Sequence, residues 1–425
     1  MNNLRNYLNR ISSRNPSIGD AAALQPAPPE TPTRSHKYDD RLSDFERCLR
    51  GPVIPLHICR MLCFGGIPDC KGLRSLCWKI LLGYLPTDRN LWPEVLEKRR
   101  AEYEKIASAI LVNPFQVDQQ ENAVNSHVRG VEVNPLPEVN AADVTEDVID
   151  NPLLIPGTNA KETTWGRFFD NNHLRGEIAK DVQRTHSGMH FFTQKLDYSE
   201  SYSKLKSGDV KAQFETHHDV MARILFLFAK LNPGVRYVQG MNELLAPIYY
   251  VFAQDPDDSF RQCAEADAFF CFTGVMGELK DRFIASLDSS DTGISSCIEE
   301  FRDLLRKADP ELYLHLEKQS VDARYYSLRW LTLLCSQEFR LPDVLRLWDS
   351  LFSDPLRFEF LQYCCCSMLI CIRSQLLSMD YIGILQMLQS YPDADLINIL
   401  NGAEELMQRI TGRPLTFAET DVYTT

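Results

Sequence analysis

Two short polar clusters in this 425-residue chain carry side chains suited to phosphate chemistry. The first holds Ile178, Asp181, Arg184 and Thr185, and the second holds Tyr237, Gln239, Gly240 and Asn242. An arginine stays charged at any working pH and presents planar N–H donors that match phosphate oxygens. A glutamine amide can donate to a phosphate while accepting from a water. The pair suits hydrolysis of a phosphoanhydride whose metal and nucleotide sit on another protein, so that only charge stabilisation and water positioning remain to be supplied. The chain has no GxxxxGK[ST] loop, so it is not expected to bind a nucleoside triphosphate alone.

The elements that must position these residues read as helices. Leu174, Ile178 and Val182 recur at helical spacing and predict a helix over residues 171–185. Asp181 and Arg184, three apart, then meet on one side, where the carboxylate can fix the guanidinium rotamer before a substrate arrives. A plainer reading is also open. The helix dipole favours any arginine in a last turn by about 0.3–1 kcal/mol, and Gly188 soon afterwards is a stop signal. The second cluster follows an apolar helix over 220–231 and the turn Asn232-Pro233-Gly234, which puts Gln239 in a loop beside Gly240. Asn242 is expected to cap the next helix, which carries Leu244, Leu245, Ile248 and Tyr249. A solvent-exposed turn glutamine is the alternative.

A third cluster, Gly66-Ile67-Pro68-Asp69 with Arg74 and Trp78, comes earlier in the chain. Pro68 is placed where a helix can start, with Leu73, Cys77, Ile80, Leu81 and Tyr84 on one face. Arg74 and Trp78 fall one turn apart on a neighbouring face, and packing and hydrogen bonding suit both better than chemistry.

In order, GIPD…R…W, IxxDxxR and YxQGM resemble the signature motifs of TBC domains, the fold of Rab GTPase-activating proteins. The resemblance runs on through Ala246-Pro247-Ile248-Tyr249-Tyr250, the stretch from Ala264 to Phe270, and Arg329-Trp330 to Trp348-Asp349, so that it covers roughly residues 41–410. It implies an all-α fold: a single large multi-helix TBC domain of two helical lobes. It also implies that Arg184 and Gln239 are catalytic, supplied in trans to the GTP and Mg²⁺ of a Rab-family partner in its GTP form. Asp181, Thr185, Tyr237, Gly240 and Asn242 would orient them, while Arg74, Trp78 and Asp69 shape the fold beside the groove. No cofactor or metal of its own is implied. The implied setting is vesicle trafficking from a cytoplasmic location, with membranes reached indirectly through the Rab. One departure stands out: His186-Ser187-Gly188 follows the motif arginine where many members carry proline. A non-catalytic Rab-binding scaffold and a helical lipid-transfer or membrane-remodelling protein remain open as other classes.

Composition narrows the field. A net charge of −13 and a pI near 5.3 argue against wide contact with nucleic acid or anionic lipid. Thirteen cysteines, an odd count without a secretory leader, point to a reducing compartment. Cys59, Cys63, Cys70 and Cys77 are spaced too widely for a zinc CxxC pair and read as buried thiols. Cys364-Cys365-Cys366 fan out about 100° apart on a helix, which favours core packing, with acylation as the other reading. His217-His218-Asp219 reads as a surface helix rather than a metal cluster. The stretch from Phe358 to Leu377 contains Glu359 and Arg373 and reads as a core helix rather than a membrane span.

The ends and one internal stretch read differently. Residues 1–40, basic and then proline-rich, are expected to form a flexible tail, with a transit peptide or weak amphipathic anchor as alternatives. Residues 112–161 are expected to form an acidic loop insertion, and 411–425 a C-terminal tail.

Overall fold

Every long element among the described residues is a helix, and strand pairing is confined to two isolated bridges, Val53 with Asp88 and Lys195 with Thr216. The computed structural model describes residues 33–111, 164–196, 215–283 and 293–412. The expected insertion, most of the expected N-terminal tail and residues 413–425 lie outside them.

The chain divides into two compact units, Met1–Arg100 with Glu243–Thr425, and Ala101–Asn242. The first begins with α1 (Thr33–Arg50), α2 (Leu56–Phe64), α3 (Leu73–Leu81) and the start of α4 (Trp92–Ile110). The second holds the rest of α4, α5 (Thr164–Arg184), α6 (His190–Thr193) and α7 (His217–Leu231). From α8 (Met241–Ala253) the chain returns to the first unit. There follow α9 (Asp258–Arg261), α10 (Ala264–Leu279), α11 (Ile294–Ala308), α12 (Pro310–Lys318), α13 (Arg324–Thr332), α14 (Leu341–Ser353), α15 (Glu359–Cys371), α16 (Arg373–Ser378), α17 (Tyr381–Gln389) and α18 (Leu396–Thr411).

Local chemistry sets several of these boundaries. α1 starts at Thr33 and so enters the expected tail of residues 1–40. α3 does not begin at Pro68: Gly72, at φ 69°, takes the left-handed conformation that reorients the chain, and the helix starts one residue later. α7 begins with a capping box in which Thr216 and Asp219 satisfy each other's backbone N–H groups. The stretch predicted as one helix over 358–377 breaks at Ile372 into α15 and α16. No helix among the described residues is long and apolar enough to cross a membrane.

In the first unit α14 packs on α2 and α3, and α15 packs on α11 and α18. Trp78, Trp330 and Trp348 are fully buried, and Trp78 meets Phe352 edge-on with ring centroids 5.0 Å apart. Cys364, Cys365 and Cys366 are all buried in α15, with Cys365 Sγ 4.0 Å from Cys335 Sγ. Of the earlier cysteines, Cys59, Cys63 and Cys77 are buried as expected and Cys70 is half-buried, but their arrangement is closer than the spacing suggests. Cys59, Cys63 and Cys77 converge, because α2 and α3 fold back on each other and bring together thiols that are distant along the chain.

The same unit buries an ion cluster that the sequence did not announce. Asp267 receives Lys79 Nζ at 2.9 Å, Arg100 at 3.0 Å and the Tyr84 hydroxyl at 2.6 Å. Burial pushes the Asp267 carboxyl up, but the cations of Lys79 and Arg100 outweigh it and hold the group below the usual carboxylate range.

Candidate functional site

The second unit carries both polar clusters with the phosphate-directed side chains. α5 buries Ile178 and Val182 and packs against α7, whose Ile224, Leu225 and Leu227 are also buried. That register leaves Arg184, the last residue of α5, pointing outward with its side chain 70% exposed. Asp181, one turn earlier, lies mostly buried at 11% side-chain exposure and accepts a hydrogen bond from the Arg184 guanidinium. Arg184 Nε also donates to the Lys180 carbonyl at 3.2 Å. The guanidinium is thus held from two sides while most of its surface remains open.

The second cluster is tied to the first through Asp181. Asn232 Nδ2 donates to the Phe228 carbonyl at 2.8 Å and closes the end of α7, and the following turn carries the chain to Tyr237. The Tyr237 hydroxyl donates to Asp181 Oδ2 at 2.8 Å, and Asn242 Oδ1 lies 3.3 Å from that hydroxyl. Asn242 Nδ2 donates to Thr185 Oγ1 at 2.7 Å, its Oδ1 accepts from the Gly240 N–H at 3.1 Å, and Thr185 Oγ1 donates to the Asp181 carbonyl at 3.1 Å. Asn242 is the second residue of α8 and not its cap. Its amide is already engaged with Gly240 and Thr185, so it joins the two clusters instead of closing a helix end.

Gln239 stands exposed on this loop, two residues from the Asp181-bound Tyr237. Gly240 is buried at φ 103°, a conformation that a side chain would strain, so the tight turn beneath Gln239 requires glycine there. One acceptor, Asp181, therefore holds both the arginine and the tyrosine that anchors the glutamine loop.

Beneath this network lies an aromatic stack. Phe192 lies between the rings of His186 and His218, with centroids at 5.5 and 5.7 Å, while Phe191 stacks on His217 at 4.0 Å. His218 Nε2 lies 3.2 Å from the Thr185 carbonyl. The reading of His217-His218-Asp219 as a surface helix holds for Asp219 but not for His217, which is buried because Phe191 covers it. Burial, and then the nearby His218 charge, lower the His217 pKa to about 4. Burial likewise lowers that of His186.

The third cluster, in the first unit, forms around Asp349 of α14. Trp78 Nε1 donates to Asp349 Oδ1 at 2.8 Å, the Ile67 N–H donates to Oδ2 at 2.9 Å, and Arg74 Nε donates to Oδ1 at 3.1 Å. Arg74 also donates to the Ile67 carbonyl at 2.9 Å and to the exposed Asp69 at 2.9 Å. Asp349 is completely buried, and burial pushes its carboxyl above the usual range against the pull of Arg74. Sequence reading missed Asp349 as the centre of this network, since nothing local pairs it with residues so far upstream. A carboxylate within an otherwise apolar helical stripe is the signal that could have marked it.

Residues 167–377 match the family model of the Rab-GTPase-TBC domain. The chain is 38% identical over 419 residues to "TBC1 domain family member 13" of Mus musculus, with 88% of this chain and 99% of that protein covered. It is 25% identical to "GTPase-activating protein gyp1" of Schizosaccharomyces pombe, over 85% of this chain and 59% of that protein. Among solved structures, the Ypt/Rab-GAP domain of Gyp1p shares the fold with a TM-score of 0.62 at 21% identity, over 88% of this chain and 98% of that one.

Proposed function

The chain belongs to the Rab-GTPase-TBC domain family, and from that premise we propose that it accelerates GTP hydrolysis on a Rab-family small GTPase with two side chains supplied in trans. Arg184 neutralises the charge that develops between the β- and γ-phosphates, and Gln239 positions the attacking water. Asp181 orients Arg184, Tyr237 anchors the Gln239 loop to the same carboxylate, and Asn242, Thr185 and Gly240 hold the turn. Nucleotide and Mg²⁺ belong to the GTPase in its GTP form, so this chain needs no cofactor of its own. The activity belongs to vesicle trafficking in the cytoplasm, with membranes reached through the Rab.

The observation that carries this reading is the shared acceptor. Tyr237 donates to Asp181 Oδ2 at 2.8 Å while Arg184 donates to Oδ1. The Arg184 guanidinium and the loop that carries Gln239 are thereby anchored to one carboxylate, which lowers the entropy lost when a partner docks. A supplied arginine of this kind is worth about 10³–10⁵ in rate, or roughly 4–7 kcal/mol of transition-state stabilisation.

The test is phosphate release from a panel of GTP-loaded Rabs under single-turnover conditions. At least one Rab should be accelerated by the native chain, and Arg184→Ala and Gln239→Ala should each suppress that acceleration while leaving the fold intact. Near-normal stimulation by Arg184→Ala removes the mechanism. A Rab that binds tightly without any acceleration identifies the chain as a scaffold instead.

A further inference from the structure

Cys59 and Cys63, four residues apart on α2, share one helix face, and their sulfurs lie 3.9 Å apart. Cys77 of α3 completes a triangle in which all three sulfurs lie within 4.8 Å of one another. All three side chains are 0% exposed. Cys48, two residues before the end of α1 and 6% exposed, interacts electrostatically with Cys59 from outside this triangle and offers a fourth thiol.

Tetrahedral thiolate coordination with Zn–S bonds of about 2.3 Å sets neighbouring sulfurs about 3.8 Å apart. The Cys59–Cys63 separation already meets that spacing, Cys77 need close in by no more than about 1 Å, and Cys48 would move in from α1 to complete the set. Two ligands at i and i+4 on one helix, with others arriving from neighbouring helices, is a recurrent way to hold zinc. The second group of buried thiols in this chain makes the contrast. Cys364, Cys365 and Cys366 are consecutive, only Cys365 faces Cys335, and no three of their sulfurs converge. A hydrophobic core accommodates buried thiols but has no need of three whose sulfurs converge.

We propose that Cys48, Cys59, Cys63 and Cys77 form a structural site for a thiophilic metal ion, Zn²⁺ bound by four thiolates. Soft sulfur donors select such an ion over Mg²⁺ or Ca²⁺. Binding breaks four S–H bonds and forms four Zn–S bonds, and the four protons leave to solvent, so no oxidant or reductant is required. The product carries two negative charges, and the Arg74 guanidinium lies close enough to Cys77 to interact with it electrostatically. The ion would pin α1, α2 and α3 around the turn from Gly66 to Asp69, adding to the bonds from Arg41 to the Leu62 and Gly66 carbonyls and the ion pair of Glu46 with Lys71. This site is independent of the reading of Arg184 and Gln239.

The test uses the full chain purified under reducing conditions without chelator and supplied with Zn²⁺. Elemental analysis should find one Zn²⁺ per chain. Replacement with Co²⁺ should give thiolate-to-metal charge-transfer bands and the intense visible bands of tetrahedral sulfur coordination. Cys63→Ser and Cys77→Ser should each weaken Zn²⁺ binding at least about tenfold, since even loss of an outer partner costs that much. Cys364→Ser should retain the metal. A native chain that takes up no Zn²⁺, or whose Co²⁺ form lacks the thiolate bands, overturns the proposal even if the serine variants fail to fold. Undiminished Zn²⁺ binding by Cys63→Ser and Cys77→Ser overturns it as well.

Discussion

Tyr237→Phe removes one oxygen atom and tests whether the two phosphate-directed side chains act as a unit. The lost hydroxyl donates to Asp181 Oδ2 at 2.8 Å, and the Asp181 side chain is only 11% exposed, so solvent replaces the donor poorly. A hydrogen bond to a charged group is worth about 1.5–3 kcal/mol. If all of it is expressed in the transition state, stimulated GTP hydrolysis falls roughly 10- to 150-fold, less than the loss on removing the arginine itself. Arg184 keeps its charge and its contact with Oδ1 in the variant, so the loss measures positioning and not charge. The assay is single-turnover phosphate release from a responsive GTP-loaded Rab, run beside a thermal melt and well below the melting temperature. Asp181→Asn and the double variant complete a cycle. Because the two residues share one hydrogen bond while Asp181 also holds Arg184, the double variant should be little worse than Asp181→Asn alone, with a coupling energy in the range of about 0.5–3 kcal/mol. Native rates for Tyr237→Phe, or strictly additive losses around the cycle, would refute the shared-acceptor argument.

Other outcomes follow from the same geometry. Arg184→Lys should lose most of the stimulation, because a point charge on a flexible stem lacks the planar donors, yet melt like the native chain, since the side chain is exposed. Gln239→Ala should behave similarly in both assays, its position on the loop being open. Trp78→Ala should lower stability by about 3–5 kcal/mol in a denaturant titration, because it empties a fully buried site and removes a donor to Asp349. The melting temperature should also fall on acidification. The folded pKa of His217 is depressed to about 4 from an ordinary 6.5. Its neutral form therefore costs nothing above pH 6.5, and below that the unfolded chain gains a proton that the folded one refuses until about pH 4. His217→Phe should flatten the melting profile across that window; an unchanged slope would place the acid sensitivity elsewhere.

The helical character of the chain and the three polar clusters were legible because both are local. A 3.6-residue period and a short motif can each be read within one window: α7 falls close to where the apolar spacing puts it, and α5 ends where expected though it starts seven residues earlier, at Thr164. What escaped were partners set by tertiary packing. Asn242 reads as a cap in isolation because helix-initiating asparagines are common, but in the folded chain its Oδ1 accepts from the Gly240 N–H and its Nδ2 donates to Thr185. Asp349, the Lys79–Asp267 pair and the convergence of Cys59, Cys63 and Cys77 all depend on which helix faces meet, and periodicity does not encode that. Pro68 looked like a helix start until Gly72, with its positive φ, proved to be the point where the chain turns.

The burial of Asp349 beneath Arg74, Trp78 and Ile67 also constrains how the chain can be made. Arg74 has Asp69 nearby in solvent, but its buried counter-charge, Asp349, is 275 positions away. At a synthesis rate of about 5–20 residues per second, the ribosome needs roughly 15–55 s to deliver Asp349 after Arg74. Throughout that interval the amino-terminal helices hold a cation that cannot enter an apolar core uncompensated. Nascent chains are thus kept from closing prematurely around Trp78, and products that stop short of α14 should present an unfinished surface to chaperones and proteases.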